Sequence, residues 1–382
     1  MSIPGQEILS SENLEDAKTL LSSFNGKEIR FKFERIVGAG SRGFVFGMKM
    51  VDQSGPSLTR KEEIRFVAKR AARTHPQGER SLLREIEILQ ELRRAPNIQQ
   101  LFRLPGAKGD LDMPYWKGPT LITEWIPNGL LRDLIERRAD LGHPLPNRML
   151  WKFFLCFCYM LVAMAWPPNG QGDHSSTRPD LPPQDESGNR PPKSSLIHGD
   201  LSIVNVMVGD FEPVAHQFVP ILKLIDFGQA NKEKTAVDAE RDNILRIGGL
   251  MICLIGGFPL DLSPRGVSNM EVNEKGKKTT IRSRARDLDG LNIAKVGKMS
   301  PEDTKRHRES TDNLDIDLRN LLIRCMATSA NLRPTLEDLV EEVRRNVKDK
   351  NEDSYTGKKF ADNESDDALR NISKRLTIIP NS

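Results

Sequence analysis

The chain has 382 residues, of which 37% are hydrophobic and 29% charged, proportions typical of a globular protein with a sizeable core. Its 57 basic and 53 acidic residues leave a formal net charge of +4, which gives no reason to expect a nucleic acid or an anionic membrane as partner. The four cysteines lie in apolar segments without paired CxxC spacing. They therefore predict buried, reduced thiols in an intracellular protein, cytoplasmic or nuclear.

Residues 1–27 are polar and predict a leader with one short helix around "SENLEDAKTLLSSF". They contain no basic stretch followed by an apolar core, so we expect no secretory signal. From Glu28 the chain alternates apolar and polar residues on both sides of a glycine cluster, which predicts two strands joined by a flexible turn. "EIRFVAKRA" predicts a third strand, and residues 78–95 predict an amphipathic helix. Residues 28–126 are thus predicted to form a first, β-rich lobe.

Residues 127–345 predict a larger, helical lobe. Within it, residues 149–166 are apolar and about as long as the shortest membrane-spanning helices, which need roughly 17 residues. Lys152 interrupts this segment and no basic flank orients it, so a buried core helix is predicted and no membrane span is expected. Because strands come first and helices later, we expect an α+β protein with two unequal lobes.

Three polar segments are predicted to be disordered or mobile. They are residues 167–195 and 263–312, as insertions in the helical lobe, and the tail 346–382. The run "KGKKTTIRSRAR" in the second insertion is basic but has no aromatic residue to stack on bases. It predicts a solvated loop, with a nuclear-import or acidic-partner site as the alternative.

A glycine cluster carries the first chemical motif. Gly38, Gly40 and Gly43 with Val45 fit G-x-G-x-x-G-x-V, and glycines allow a backbone to fold over phosphates and offer its N–H groups. The same spacing occurs in dinucleotide sites, where a helix begins at the third glycine. Here "FVFGMKM" continues as a strand, which disfavours that alternative.

Two charged residues follow on the predicted strand and helix. Lys69 lies on the third strand, where an ammonium reaches phosphates, and Glu85 lies on the helix, where it can pair with Lys69. Each alone is more often a solvent-facing residue, and Glu87 and Glu91 are competitors for Glu85.

The stretch "IHGDLSIVNVM" places Asp200 five residues before Asn205, a spacing that allows a proton acceptor beside a metal ligand. Asp226 follows an apolar strand in "ILKLIDFGQA". A carboxylate and an amide oxygen are hard ligands suited to Mg²⁺ that bridges phosphates.

In this order the motifs match the signature set of the eukaryotic-type protein kinases, which the chain resembles over roughly residues 30–345. The end of that range, "CMATSANLRPTLEDLVEEV", is similar to the last helices of the family. The resemblance implies a bilobal kinase-like fold, ATP and Mg²⁺ as cofactors, and transfer of the γ-phosphate to Ser or Thr hydroxyls of a protein substrate.

The resemblance also implies roles for individual residues. Lys69 would hold the α- and β-phosphates and Glu85 would position it, Asn205 and Asp226 would bind Mg²⁺, and Asp200 would deprotonate the acceptor hydroxyl. The nucleotide would be enclosed by the three glycines and by Val45, Val67 and Met207, with Thr123 limiting the depth of the pocket and the backbone of Glu124 and Ile126 at the adenine edge.

The sequence departs from the family around Asp200. Gly199 stands where the family has Arg, and Ser202 stands where its serine/threonine members have Lys. No Ala-Pro-Glu follows Asp226, so Arg333 has no evident partner except, speculatively, Glu240. Thr235 is the sole hydroxyl residue between Asp226 and the next apolar helix.

Two alternatives to a protein kinase remain open. "HGDLSIVN" is similar to the H-G-D-x4-N run of aminoglycoside and choline kinase relatives, which indicates a small-molecule phosphotransferase. The departures near Asp200 also suit a pseudokinase that binds nucleotide and acts as a scaffold.

Overall fold

The computed structural model describes residues 3–25, 27, 31–40, 43–50, 64–72, 77–104, 113–168, 181–257, 267–274, 276–289 and 300–377. The strands in this part of the chain are β1 Phe31–Gly40, β2 Gly43–Met50, β3 Arg65–Ala71, β4 Leu121–Glu124, β5 Val206–Val208, β6 Leu222–Leu224, β7 Ser268–Glu274 and β8 Lys277–Ser283. The α-helices are α1 Ser11–Ser22, α2 Gly78–Glu91, α3 Leu131–Arg138, α4 Asn147–Ala165, α5 Ala236–Gly256, α6 Pro301–Asp312, α7 Ile316–Cys325, α8 Leu336–Asp349 and α9 Asp366–Thr377.

The protein is α+β, as predicted. An antiparallel sheet with strand order β1–β2–β3–β4 forms first, and most of the helices follow it. Side chains alternate between the two faces of the sheet, so Phe44, Phe46 and Phe66 lie on one face. They are buried there in a cluster with Phe31 and Trp116. The opposite face of β2 and β3 stays partly open, and the site described below lies on it.

The leader contains the predicted helix, which is α1. Ser10 caps this helix by accepting a hydrogen bond from the backbone N–H of Asn13. The Trp116 indole donates to the carbonyl of Leu20 over 2.9 Å, and Phe24 stacks on Trp116 with ring centroids 5.4 Å apart. The leader therefore packs on the aromatic face of the sheet.

A second hydrophobic cluster surrounds α4. This helix is the one in the described segments that is long and apolar enough to cross a membrane, and most of it is buried inside the protein. It packs against α5, α8 and β6, which is the arrangement predicted for a core helix. All four cysteines are free and buried, as predicted.

The disorder predicted for the insertions was wrong where the structure describes them. In the second insertion β7 and β8 form a hairpin, because Met270, Val272 and Ile281 alternate inward and are buried, and α6 follows. In the first insertion, residues 181–195 have no helix or strand but are held by Trp166, which donates to the carbonyl of Pro191 over 2.8 Å. Residues 169–180, 258–266 and 290–299 lie outside the described residues.

The mobility predicted for the tail was also wrong. Residues 350–377 form two short 3₁₀ turns and α9, whose Leu369, Ile372 and Leu376 are buried against the helical core. Tyr355 donates to Asp315 Oδ2 over 2.8 Å, and Lys350 contacts the same carboxylate at 2.6 Å. Apolar periodicity and these polar anchors outweigh the polar composition of the segment.

The tail also caps α4. The first residues of α4 lack a side-chain cap of their own, because Pro146 stands at the cap position. The Glu364 carboxylate replaces it by accepting from the backbone N–H groups of Asn147 at 2.7 Å and Arg148 at 3.0 Å. A negative charge at a helix N-terminus also interacts favourably with the helix dipole.

Replacing Glu364 with Ala is expected to lower the free energy of unfolding by about 2 to 4 kcal/mol, since it leaves two backbone donors without partners at a buried site. Glu352→Ala, an exposed change in the same tail, is the matched control and is expected to stay within about 0.5 kcal/mol of the wild type. Urea denaturation measures both. Equal losses in the two variants would show that Glu364 is not a cap.

Candidate functional site

The open face of β2 and β3 presents the residues that the sequence analysis assigned to a nucleotide. Val45 pairs with Lys69 across the two strands, and Val67 pairs with Thr123 on β4. Val45, Val67 and Lys69 are half-buried, whereas Thr123 is buried. These four side chains therefore lie on one apolar surface with a single ammonium in it.

The glycines lie beside this surface. Gly38 pairs with Val45, and Gly40 pairs with Gly43 where β1 turns into β2, with residues 41 and 42 outside the described residues. A Cβ at Gly43 would lie 2.1 Å from the Arg70 carbonyl oxygen. Glycine is thus required there by the close approach of β3.

Lys69, Glu85 and Asp226 meet although the last is 157 residues from the first. The Lys69 ammonium lies 2.8 Å from Glu85 Oε2 and 2.9 Å from Asp226 Oδ1. Glu85 is 2% exposed because it shares the inward face of α2 with Leu82, Ile86 and Leu89. Glu87 points to solvent, so the choice that the sequence left open falls to Glu85.

The charges in this group set their pKa values. Burial acts to lower the pKa of Lys69, but the two carboxylates outweigh it and the net pKa is raised. Burial raises the pKa of Glu85, and the charge of Lys69 opposes that rise. For Asp226, burial is outweighed by Lys69 and by the Gly228 N–H, so its pKa is lowered. Lys69 and Asp226 are therefore charged at neutral pH.

Asp200 lies in a tightly constrained loop. His198 is fully buried, its Nε2 lies 2.9 Å from the Ile225 carbonyl, and its Nδ1 lies 3.3 Å from the Asp200 N–H. Burial lowers the pKa of His198, which favours a neutral ring with the proton on Nε2. The ring packs edge-on against Phe227 with centroids 4.7 Å apart. This contact joins the Asp200 loop to the Asp226 turn.

Among the residues that the structure describes, the Asp200 carboxylate has one side-chain partner, Gln229, whose Nε2 donates to Oδ2 over 3.1 Å. Asn205 Nδ2 donates to the Asp200 carbonyl over 2.8 Å, so the amide oxygen of Asn205 is the atom left for a metal. Asp226 has φ 60° and receives the Gly228 N–H on Oδ1. The donor set of one amide and one carboxylate oxygen fits Mg²⁺ whose remaining ligands are phosphate oxygens and water.

The far side of the site consists of Glu124, Ile126 and Met207. The Glu124 N–H donates to the Gln100 carbonyl over 3.0 Å, and its carboxylate accepts two hydrogen bonds from Lys223 at 2.8 Å. The Glu124 side chain is thus used within the protein. Ile126 is buried and Met207 half-buried, as suits apolar walls.

Two residues of this region escaped the sequence analysis. Gln229 contacts Asp200, and Ser81 on α2 donates to the Gly228 carbonyl over 2.8 Å. Ser81 thereby joins the start of α2 to the turn that carries Asp226. Nothing in the sequence marks either residue, because both contacts depend on the backbone path after Asp226.

The speculative pairing of Arg333 with Glu240 is wrong. Arg333 donates to the carbonyls of Ala327 at 3.0 Å and Arg241 at 2.9 Å. Glu240 instead pairs with Lys193 of the first insertion at 2.5 Å. Lys193 also contacts Glu337 at 2.6 Å, so a lysine from an inserted segment neutralises a carboxylate that the sequence assigned to an arginine.

Thr235 is the N-cap of α5. Its hydroxyl accepts from the Asp238 N–H at 3.2 Å and donates to the Asp238 carboxylate at 2.7 Å. Only the residues from Phe227 to Lys234 separate Asp226 from this cap. This segment is anchored to α2 by Lys232, whose ammonium lies 2.7 Å from the Glu91 carboxylate.

No protein-family model matches the sequence, and no curated protein matches it at a significant level.

Proposed function

We propose that the protein has a bilobal kinase-like fold and is a Mg²⁺-dependent protein kinase that transfers the γ-phosphate of ATP to Ser or Thr hydroxyls. One observation carries the proposal. A strand lysine, a buried helix glutamate and the aspartate of a D-F-G turn meet within 3 Å on the open face of the sheet. Such a group suits phosphoryl transfer, in which the protein mainly positions phosphates and offsets their charge.

Each residue has a distinct task in this proposal. Lys69, fixed by Glu85, binds phosphate oxygens with its ammonium. Asp226 and Asn205 hold Mg²⁺, which when bound offsets the negative charge that develops on the transferred group. Asp200 accepts the proton of the acceptor hydroxyl through the carboxylate oxygen that Gln229 does not occupy.

The walls suit a nucleotide base. Val45 and Val67 offer an apolar surface above the site, and Met207 offers one on the other side, where it bridges to Leu130. Thr123 is buried at the inner end of this surface. An adenine fits between such apolar walls, where dispersion and burial favour it and backbone groups supply direction.

A small-molecule phosphotransferase is the second candidate, and the short chain between Asp226 and α5 favours it. That segment is pinned to α2 by Lys232 and enters α5 at Thr235. It leaves little backbone on which an extended peptide can lie. The core residues would act on either kind of acceptor, so the acceptor must be found by experiment.

The test is a transfer assay with ATP labelled on the γ-phosphate and Mg²⁺, in which the wild type is compared with Asp200→Asn on mixed proteins and peptides. We expect labelled Ser or Thr with the wild type and at least about 10²-fold less with the variant, because a general base contributes about that much. Asp210→Asn, on the surface beyond the loop, is the control.

The other outcomes separate the alternatives. Label on aminoglycosides or choline, but not on protein, would replace the protein-kinase proposal with the metabolite phosphotransferase. Nucleotide binding without any transfer that depends on Asp200 would leave the pseudokinase scaffold.

A further inference from the structure

A second pocket lies away from this site, between the end of α3, the C-terminus of α5 and α6. Its interior measures about 30 Å³, and with its open mouth about 390 Å³. The interior has room for about two water molecules. Its charged or titratable lining residues are Arg138, His143, Asp303, Arg306 and Glu309. The phosphotransfer proposal uses none of them.

Arg138 is the distinctive member of this lining. It is 6% exposed, and the structure gives its guanidinium one hydrogen bond, from Nη2 to Ser310 Oγ at 2.5 Å. Its Nε is buried and has no partner. A Cβ on Gly257 would lie 1.7 Å from Nη1, so the glycine at the end of α5 is what admits the guanidinium.

The charge of Arg138 is not compensated by the other lining residues. Asp303 pairs with Arg306 at 3.4 Å, and Glu309 pairs with Lys359 at 2.7 Å. Within the described part of the chain Arg138 makes no ion pair, and burial together with the nearby Arg306 lowers its pKa to about 10. A buried charge without a counter-ion is costly, and an anion would remove that cost.

We propose that this Arg138 pocket binds a phosphate-sized oxyanion, either inorganic phosphate or the phosphoryl group of a phosphorylated side chain. The planar guanidinium matches two phosphate oxygens at once. Ser310 positions the guanidinium, because its hydroxyl accepts from Arg138 Nη2 while it donates to the Arg306 carbonyl, and the Arg306 side chain adds a half-exposed cation. Asp303 and Glu309 disfavour a polyphosphate, which would bring more negative charge against their carboxylates. The proposal is independent of phosphotransfer.

A purely structural role for Arg138 makes a different prediction. If the guanidinium only stabilises the carbonyl end of α5 through the helix dipole, its removal destabilises the protein in every buffer and phosphate has no effect. If the guanidinium instead binds an anion, Arg138→Met is at least as stable as the wild type in buffer that contains no oxyanion. With phosphate, the order of stability reverses.

The experiment follows unfolding of the full chain with and without inorganic phosphate, at ionic strength matched with chloride. At phosphate about 100-fold above its Kd, we expect the unfolding equilibrium of the wild type to shift about 100-fold. We expect no such shift in Arg138→Met. Lys69→Met tests whether the shift comes from phosphate in the nucleotide site: this variant starts from a lower stability, but the shift that phosphate adds should be retained if the anion binds at Arg138.

Calorimetric titration of the wild type with phosphate and with O-phosphoserine identifies whether the bound oxyanion is the free ion or part of a phosphorylated side chain. Tighter binding of phosphoserine points to a phosphorylated chain, and tighter or equal binding of phosphate points to the free ion. Loss of Arg138 should weaken the binding of phosphate and of O-phosphoserine at least about 30-fold. If Arg138→Met does not fold, Ser310→Ala replaces it and should weaken binding measurably. No binding to the wild type, or binding that neither variant weakens, overturns the proposal.

Discussion

Replacing Lys69 with Met is expected to lower the free energy of unfolding by about 3 to 5 kcal/mol, the usual cost of removing one partner from a buried ion pair. The change leaves Glu85, which is 2% exposed, without its cation. Phosphoryl transfer should fall by about 10²- to 10³-fold, because one preorganised charge near the phosphates is lost. Thermal unfolding and the labelled-ATP assay measure the two effects.

The loss of stability should depend on pH. Burial already raises the pKa of Glu85 above its ordinary 4.5, and without Lys69 the backbone hydrogen bond from Phe227 is what remains to oppose that rise. Between that value and the higher pKa of the folded variant, the folded state binds more protons than the unfolded state. The stability of Lys69→Met therefore falls as pH rises above 4.5, until the pH passes the raised pKa of Glu85 in the folded variant.

A second change separates structure from chemistry. Adding Glu85→Gln to Lys69→Met removes the unpaired charge, so we expect most of the stability to return while transfer stays low. Glu87→Gln, on the exposed side of the same helix, should change neither quantity. Full stability of Lys69→Met alone at all pH values would mean that the contact between Lys69 and Glu85 contributes nothing in solution.

The alternation of apolar and polar residues made the strands of the sheet predictable from the sequence. The spacing of residues alone, however, could not identify which side chains meet in the site. The sequence placed Lys69 on a strand and left three candidate partners, Glu85, Glu87 and Glu91, on the following helix, but only the inward face of α2 selects Glu85. The contact of Gln229 with Asp200 depends on left-handed backbone at Gly199 and Asp226. Such local conformations leave no periodic pattern in the sequence.

The errors on the insertions and the tail have a common physical cause. The overall polarity of these segments predicts mobility, but the spacing of their few apolar residues determines whether an element forms. In α9, Leu369, Ile372 and Leu376 recur at helical spacing within "DDALRNISKRLT", and all are buried. In the hairpin, Met270 and Val272 recur at the two-residue spacing of a strand, and both are buried. A short amphipathic element needs only two or three apolar contacts when polar anchors such as Glu364 add to them.

Replacing Gly199 with Ala is expected to destabilise the protein by about 3 kcal/mol or more. Gly199 has φ +81°, and a Cβ there would lie 2.4 Å from the Gln229 carbonyl oxygen. The change therefore adds a backbone clash to the ordinary cost of a left-handed alanine, which is about 1 kcal/mol. Gly188→Ala is the matched control, since its φ is also +81° and nothing lies within 4 Å.

The same clash bears on the family that the chain resembles, which has Arg where Gly199 stands. Gly199→Arg must move Gln229, which donates to the Asp200 carboxylate, so we expect it to lower transfer rather than restore a missing function. Unfolding and transfer assays on Gly199→Ala, Gly199→Arg and Gly188→Ala measure both effects. If Gly199→Ala and Gly188→Ala lose equal stability, the close approach to Gln229 is not what requires glycine. If Gly199→Ala loses more stability than Gly188→Ala, the path of the chain after Asp226 requires glycine at position 199 and thereby explains the absence of Arg there.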